Sequence, residues 1–516
     1  MNDKKIIFRV DASIQIGTGH VMRCLTLADA LSESGAEVQF ICRKHTGNLI
    51  IYIQSKGYIV HTLETPKTTS PTVIQTKCDM EPQLYHANWL GVSQEKDSQE
   101  SKPIMKNFQP DWLVVDHYSI NKEWQAELKG TYQKLMVIDD LADREHQCDL
   151  LLDQTYGRLS QDYHGLVPAN CQMLLGSQYA LLRPEFAKWR EFSLKRRAVQ
   201  SQFKKLLITM GGVDPDNITG RVLDALRTCD LPNDLEIMVV MGATAPHLDT
   251  IKNQVQGMPY KTKVKVNVSN MAEIMANADL AIGAAGSTTW ERGCLGLPSI
   301  QIVIADNQME IANRLDSIRA IKYLKEFCQL CVSIKWLRGS IQKTSLIASS
   351  LTDGQGVSRV LNYINFSGQN DCSVSLEPAV STDFNFIFEL QTKEIRQFFR
   401  NPTTPSLDKH IDWFNRTINS HDSQLFIVTF NNQKAGVLRV DDLNTKELEI
   451  SIIVSPDYAG QGVAKKAIKK LESIMFGRKL KAIIHKQNMA SKNVFESLEF
   501  EMKQQDGDFV EYLKNV

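Results

Sequence analysis

The chain has 516 residues, 43% of them hydrophobic, with 59 Lys+Arg balanced by 59 Asp+Glu. That length exceeds one hydrophobic core and fits about three to four domains. The balanced charge supplies no global field toward nucleic acid and no apolar run reaches membrane-span length, so a small-molecule ligand is expected, without nucleic acid or membrane partners. The start, Met1-Asn2-Asp3-Lys4-Lys5, shows no leader pattern, and a cytoplasmic location is expected.

The first strand, Ile6-Ile7-Phe8-Arg9-Val10, runs through Asp11 to a glycine turn, Gly17-Thr18-Gly19. The turn opens a helix with Val21, Cys24, Leu25, Ala28 and Leu31 at helical spacing. His20 therefore stands at a helix start beyond a strand's carboxyl end, where α/β folds bind ligands and free N–H groups favour an anion. An imidazole, with an ordinary pKa of about 6.5, is a usable general base near neutrality. The structural alternative is a histidine that caps its helix. Nicotinamide dinucleotide binding is not expected: the third glycine of its fingerprint would fall at Met22, and the second strand ends in Cys42-Arg43 rather than in an acid.

Strands at 38–42, 112–116 and 135–139 alternate with helices to about residue 155, which reads as a parallel sheet with helices on both faces. The segment 66–103, rich in Thr, Ser, Gln, Lys and Glu, interrupts this alternation and reads as a surface insertion or loop. The acid pair Asp139-Asp140 offers a metal reading, but helix dipoles and N–H groups suffice for a leaving diphosphate, and no metal is expected.

A second set of the same units begins at Lys205, with strands at 206–210, 236–241, 264–268, 280–283 and 298–303. Within it, Ile282-Gly283-Ala284-Ala285-Gly286-Ser287-Thr288-Thr289-Trp290-Glu291 leaves a strand through small residues and starts a helix. Backbone N–H groups and the Ser287 and Thr288 hydroxyls are placed for a diphosphate, and Glu291 for two ribose hydroxyls. The alternative is a tight turn with Glu291 solvated. The ten cysteines form no framework; Cys328-Gln-Leu-Cys331 lacks a second pair for zinc, and reduced thiols are expected.

Past the polar stretch Ser367-Gly368-Gln369-Asn370 the pattern changes to helices, antiparallel strands at 425–430, 435–440 and 447–454, and then helix, strand and helix. The strand ending at Val454 turns through Gly460-Gln461-Gly462 into a helix starting Val463-Ala464 and carrying Lys465, Lys466, Lys469 and Lys470. Glycines there bring successive N–H groups onto a pyrophosphate.

The motifs in the first 365 residues resemble the UDP-sugar hydrolases of the pseudaminic acid pathway. They are Arg9-Val10-Asp11, Gly17 to Ala28, Val114-Val115-Asp116-His117-Tyr118, Ile138-Asp139-Asp140, Tyr179 to Phe186, Met210-Gly211-Gly212-Val213-Asp214 and the Gly286 to Glu291 turn. The resemblance implies a glycosyltransferase-B-like pair of Rossmann-like domains and release of UDP from UDP-2,4-diacetamido-2,4,6-trideoxy-β-L-altropyranose. It implies His20 as catalytic residue, Tyr118 and Asn307 near the sugar, Ser287 and Thr288 on the diphosphate, and Asp11 orienting loop or substrate. Gly17 and Gly19 then face the sugar, and His117 reads as a hydrogen-bonding neighbour.

The last domain resembles the GCN5-related N-acetyltransferases (GNAT), through the Val454 to Ala464 segment and Asn488 to Phe500. The resemblance implies an α+β GNAT domain taking acetyl-CoA on Val454, Gly460, Gln461, Gly462, Val463, Ala464 and Asn488, and similar to the pathway's 4-amino-sugar N-acetyltransferase. The sequence departs from that family at Ala459, where relatives carry Arg or Gln, at Phe495, where a tyrosine reprotonates the CoA thiolate, and at Glu499, where glycine is usual. Glu449 is the candidate base for the amine, with a solvated edge carboxylate as alternative. The expected domains are 1–155, 156–366, a 367–379 linker and 380–516. The rival reading is a UDP-sugar-dependent glycosyltransferase with a non-catalytic GNAT-like binding module.

Overall fold

The computed structural model describes residues 4–66, 84–199, 202–366, 374–420, 422–430, 433–475 and 477–516. These form two compact units, 1–366 and 367–516. No described helix is long and apolar enough to cross a membrane.

The first unit holds two parallel sheets. Strands β1 (Lys5–Val10), β2 (Glu37–Arg43), β3 (Ile59–Leu63), β4 (Trp112–Asp116), β5 (Lys134–Ile138), β6 (Leu150–Asp153) and β7 (Gln172–Leu175) run in the order β3-β2-β1-β4-β5-β6-β7. Strands β8 (Lys205–Thr209), β9 (Glu236–Met241), β10 (Lys261–Val266), β11 (Leu280–Ala284), β12 (Ser299–Ile302) and β13 (Lys322–Tyr323) give β10-β9-β8-β11-β12-β13. In both sheets the winding reverses beside the first strand, at β1/β4 and at β8/β11. The crevice outside the carboxyl ends at such a reversal is where open α/β sheets take ligands. Near-continuous apolar runs such as Leu113-Val114-Val115 are buried because helices cover both faces.

Helix α1 (Gly19–Glu33) follows β1 and buries Val21, Cys24, Leu25, Leu27, Ala28 and Leu31 on the first sheet. Three sequence expectations are corrected in this unit. The first sheet continues past residue 155, because β7 pairs in parallel with β6. The polar segment 66–103 is only partly loop: residues 67–83 lie outside the described residues, but Gln94–Phe108 is a helix, α2, capped by Ser93. Its buried Asp97 is why it docks. Arg9 donates to both Asp97 oxygens at 3.0 and 2.7 Å, Arg43 donates to Oδ2 at 2.7 Å and Trp124 to Oδ1 at 2.9 Å. Removing one partner from so dry a network strands a buried charge. The third correction concerns thiols: Cys229 and Cys331 form a disulfide, their Cα atoms 5.1 Å apart although 102 residues separate them.

Helix α3 (Thr288–Cys294), described below, lies between β11 and β12, and after the second sheet α4 (Gly356–Phe366) returns to the first sheet. Val360 and Ile364 of α4 join the core under α1 and are fully buried, each contributing roughly 1.5–3 kcal/mol.

The second unit is a mixed sheet ordered β14-β15-β16-β17-β18-β20-β19, from β14 (Val374–Pro378), β15 (Ser423–Phe430), β16 (Gln433–Asp441), β17 (Glu447–Val454), β18 (Lys479–His485), β19 (Glu501–Asp506) and β20 (Phe509–Asn515). Part of the expected 367–379 linker is therefore a strand, since Val374–Pro378 pairs antiparallel with β15. Helix α5 (Leu407–Ile418) precedes β15, α6 (Val463–Ile474) follows β17 and α7 (Met489–Glu496) follows β18. Ala467, Ile468 and Leu471 of α6 and Phe495 of α7 fill one core with Leu448, Ile450 and Leu480.

Candidate active site

His20 is the second residue of α1, and its partner comes from the end of β4. Asp116 Oδ1 accepts from His20 Nδ1 at 2.6 Å, which makes Nδ1 the protonated nitrogen and leaves the Nε2 lone pair for chemistry. Arg23, one turn along α1, donates to Asp116 Oδ2 at 2.6 Å and Oδ1 at 2.7 Å, and to Asp140 Oδ2 at 2.5 Å. Burial would raise the Asp116 pKa, but Arg23 and His20 outweigh it and hold the carboxyl well below the usual range. Tyr118 closes the circuit by donating to Asp140 at 3.0 Å, its ring edge-on to His20 at 4.6 Å. The structure thus brings His20 and Tyr118 together. Sequence reasoning missed Asp116 and Arg23 as their support; the available signal was their presence in the two motifs that carry His20 and Tyr118.

Asp11 is 1% exposed, and its Oδ1 accepts from Arg9 at 2.7 Å and from the Arg43 backbone N–H at 2.6 Å. Its Oδ2 faces His117 Nε2 at 3.2 Å and His45 Nε2 at 3.6 Å. Asp11 thereby ties the end of β1 to β2 and faces the two histidines. His117 correspondingly turns inward. Gly17, at φ +79°, closes the loop onto Ser13, donating to its carbonyl at 2.8 Å.

Across the cleft lies the turn after β11. A side chain built at Gly19 would meet Ser287 Oγ at 3.6 Å, so the His20 turn and the Ser287 turn face each other. No side chain caps α3 at Ser287; the Thr289 and Trp290 N–H groups bond back to the Gly286 and Ser287 carbonyls at 2.9 and 3.1 Å, so the N–H groups left to meet a ligand are those of Ser287 and Thr288. Beneath the turn is buried Arg292, which donates to the Ala284 carbonyl at 2.6 Å and to Thr288 Oγ1 at 3.1 Å. Burial lowers its pKa to about 10, against Glu291, and it remains a cation at neutral pH. Arg292 holds the Thr288 oxygen from below. Gly286 leaves room on its ligand side, with Gln308 Nε2 its nearest neighbour at 3.7 Å. Glu291 has a side chain 19% exposed, 3.6 Å from Arg183. Burial pushes its pKa up, with Arg183 and Arg292 opposing. Asn307 belongs to the turn Asp306–Gln308, but its side chain lies outside the described residues. Among the described residues no group of three metal-ligating side chains occurs.

In the second unit β17 and β18 are parallel but pair only at 447–449 with 479–481, and then part. Val454 ends β17 beside this fork, and Gly460 and Gly462 follow at φ +77° and +74°. Gly462 is the uncapped N-cap of α6, so the N–H groups of Gly462, Val463 and Ala464 are those a pyrophosphate would meet; the Val463 side chain is buried below them. The residues present therefore fit acetyl-CoA. The Gln461 side chain donates to the Asp457 carbonyl at 3.1 Å, and Asn488 caps α7 by accepting from the Ser491 N–H at 3.1 Å. Glu449 sits at the fork between Arg400 at 3.5 Å and Lys481 at 3.8 Å, cations that compete with an amine for its oxygens. Phe495 is buried edge-on to Phe500, at 5.0 Å.

Two family models match. That of the glycosyltransferase family 28 C-terminal domain covers residues 205–343, and that of the acetyltransferase (GNAT) domain covers 373–501. An uncharacterised protein of Methanocaldococcus jannaschii is 24% identical over 517 aligned residues, covering 96% of each chain. The UDP-2,4-diacetamido-2,4,6-trideoxy-β-L-altropyranose hydrolase of Campylobacter jejuni is 27% identical over 314 residues, 60% of this chain and 96% of its own. MurG of Acinetobacter baumannii superposes with TM-score 0.51 at 14% identity, over 70% of this chain and 99% of that one, a likeness of fold alone. The chain is a fusion of a glycosyltransferase-B-like unit, similar in sequence to a UDP-sugar hydrolase, with a GNAT acetyltransferase domain.

Proposed function

We propose that the first unit hydrolyses UDP-2,4-diacetamido-2,4,6-trideoxy-β-L-altropyranose, and that the second makes this substrate by acetylating its 4-amino precursor with acetyl-CoA. The observation that carries the reading is the Asp116-oriented His20 facing the Ser287 turn across one cleft. Water gives its proton to His20 Nε2 and bonds to the anomeric carbon, while the anomeric C–O bond breaks and its electron pair leaves with UDP. The N–H groups and hydroxyls of Ser287 and Thr288 and Arg292 below them stabilise the departing diphosphate without a metal. In the second unit the amine nitrogen bonds to the thioester carbonyl carbon, the C–S bond breaks, and the CoA thiolate takes up the amine's proton through solvent, since Phe495 has no hydroxyl. The two reactions are consecutive, which gives the fusion its purpose. Both acetyl-CoA and UDP-sugars are cytoplasmic metabolites, and we assign the protein there.

The test supplies the 4-amino UDP-sugar with and without acetyl-CoA and follows products by NMR. Wild type should release free diacetamido sugar only with acetyl-CoA, and His20→Ala should stop at the acetylated nucleotide. Normal hydrolysis by His20→Ala would refute the assignment. The family 28 match favours a second reading, a glycosyltransferase in which an acceptor hydroxyl replaces water; UDP release that depends on an added acceptor would establish it. The ion-paired Glu449 and the buried Phe495 favour a binding-only second unit within that reading, and absence of CoA thiol release would support it.

A further inference from the structure

Residues 84–90 come from the segment that reads as loop in the sequence, and they reach both halves of the cleft. The Ser119 hydroxyl, next to Tyr118, donates to the His86 carbonyl at 2.5 Å. At the other side the Tyr85 hydroxyl donates to Asp306 Oδ2 at 3.1 Å. Asp306 opens the turn whose Gln308 amide abuts Gly286 of the diphosphate loop. Between these anchors the rings form a continuous set. His86 packs on Trp89 at 4.2 Å and on Tyr118 at 5.3 Å, Trp89 stacks on Tyr118 at 5.8 Å, and Tyr118 meets His20 at 4.6 Å. Tyr118 is buried, whereas His86 and Trp89 stay partly exposed. Burial lowers the His86 pKa, helped by Arg144 and His20 and opposed by Asp143, so the wall presents a neutral imidazole.

A sugar tethered to a diphosphate at the Ser287 turn, with its anomeric carbon at His20, comes beside Tyr118, the inner end of this wall. We propose that His86 and Trp89 form an aromatic subsite that takes the apolar face of the nucleotide-linked sugar, selecting rings rich in C–H and methyl groups. The rings supply large apolar area at fixed orientation, and neither needs a charged partner from the ligand. The subsite rests on the proposal that the cleft holds a UDP-sugar, but not on water being the acceptor.

The test compares UDP with UDP-2,4-diacetamido-2,4,6-trideoxy-β-L-altropyranose as ligands of the full chain. Trp89→Ala should raise KM for the sugar nucleotide about tenfold, with kcat within about threefold and the UDP inhibition constant within about twofold. Trp89→Phe should restore most of the loss, and His86→Ala serves the same test should Trp89→Ala not fold. An unchanged KM, or equal weakening of UDP and of the sugar nucleotide, would overturn the subsite. If wild type releases no UDP, the hydrolase reading fails by itself, while calorimetric binding of the same two ligands to wild type and Trp89→Ala still decides the subsite.

Discussion

His20 Nδ1 lies 2.6 Å from Asp116 Oδ1, and the two residues are 96 positions apart in the chain. β1 and β4 are neighbours in the sheet, so the helix that follows one starts beside the end of the other. The carboxylate keeps the imidazole in one tautomer, and in the proposed hydrolysis it would stabilise the imidazolium formed when His20 takes the proton of water. Asp116→Asn keeps the shape and removes that charge. Its UDP release should fall on the order of 10²- to 10⁴-fold, with UDP binding little changed. Stopped-time assays of UDP release with calorimetric UDP titration check both halves of the expectation; undiminished turnover would remove Asp116 from the mechanism.

The Ser287 turn depends on a glycine near the end of β11. A Cβ at Gly283 would stand 2.6 Å from Arg292 Nη1 and 2.7 Å from the Thr209 carbonyl oxygen. The carbonyl belongs to a paired strand and cannot retreat, so Arg292 must swing away from Thr288. Gly283→Ala should therefore cost about 1–3 kcal/mol of stability through overpacking and weaken UDP binding as well. Thermal unfolding and UDP titration measure the two effects. A stable variant that binds UDP normally would show that Arg292 plays no part in holding the turn.

Several of these relationships were legible in the chain and others were not. The His20 and Gly286-Ser287 turns stand out because strand, small residues and helix occur within a dozen positions, and local sequence dictates local structure. Asp116 and Arg23 lie in recognisable motifs, yet their pairing depends on strand order, which no local pattern records. Helix α2 was hidden by its composition: apart from Met105 and Phe108, the face it buries is polar, with Asp97, Ser98 and Ser101, and its anchor is an ion-pair network instead of an apolar stripe. The Cys229–Cys331 bond spans 102 residues and is equally silent in the sequence. In the second unit the glycines at 460 and 462 announce a phosphate turn, but the parting of β17 and β18 appears only once their register is known.

His146 makes the first unit sensitive to acid. Its Nδ1 accepts from the Gln125 side-chain amide at 3.0 Å, and that amide cannot flip because Gln125 Oε1 accepts from the Gln147 N–H at 2.6 Å. Protonating Nδ1 would set two donors against each other in a buried site. Burial drives the His146 pKa from 6.5 to about 4, with Asp139 opposing and Arg144 assisting. The unfolded chain therefore binds the proton first. Stability from this group is intact above about pH 6.5 and is lost as pH falls toward 4, on the order of 3 kcal/mol in total. In calorimetry the transition that UDP raises should lose Tm across that window, and His146→Gln should flatten the slope; an unchanged slope would locate the acid sensitivity elsewhere.

Glu499 occupies a glycine's conformation. Helix α7 ends in a left-handed turn: the Phe500 N–H donates to the Phe495 carbonyl at 3.1 Å, the Glu499 N–H donates to the Glu496 carbonyl at 3.0 Å, and Glu499 sits at φ +64°. A residue with a Cβ pays about 1–2 kcal/mol for that backbone, where glycine pays nothing sterically. Glycine in turn loses more entropy on folding, which returns about half of the gain. Glu499→Gly should thus stabilise the second unit by about 1 kcal/mol or somewhat less, leaving the UDP-dependent transition of the first unit where it is. The expected readout is an upward shift of the unfolding transition that acetyl-CoA also raises. A fall in that transition would mean that the Glu499 side chain makes a contribution larger than the strain of its backbone.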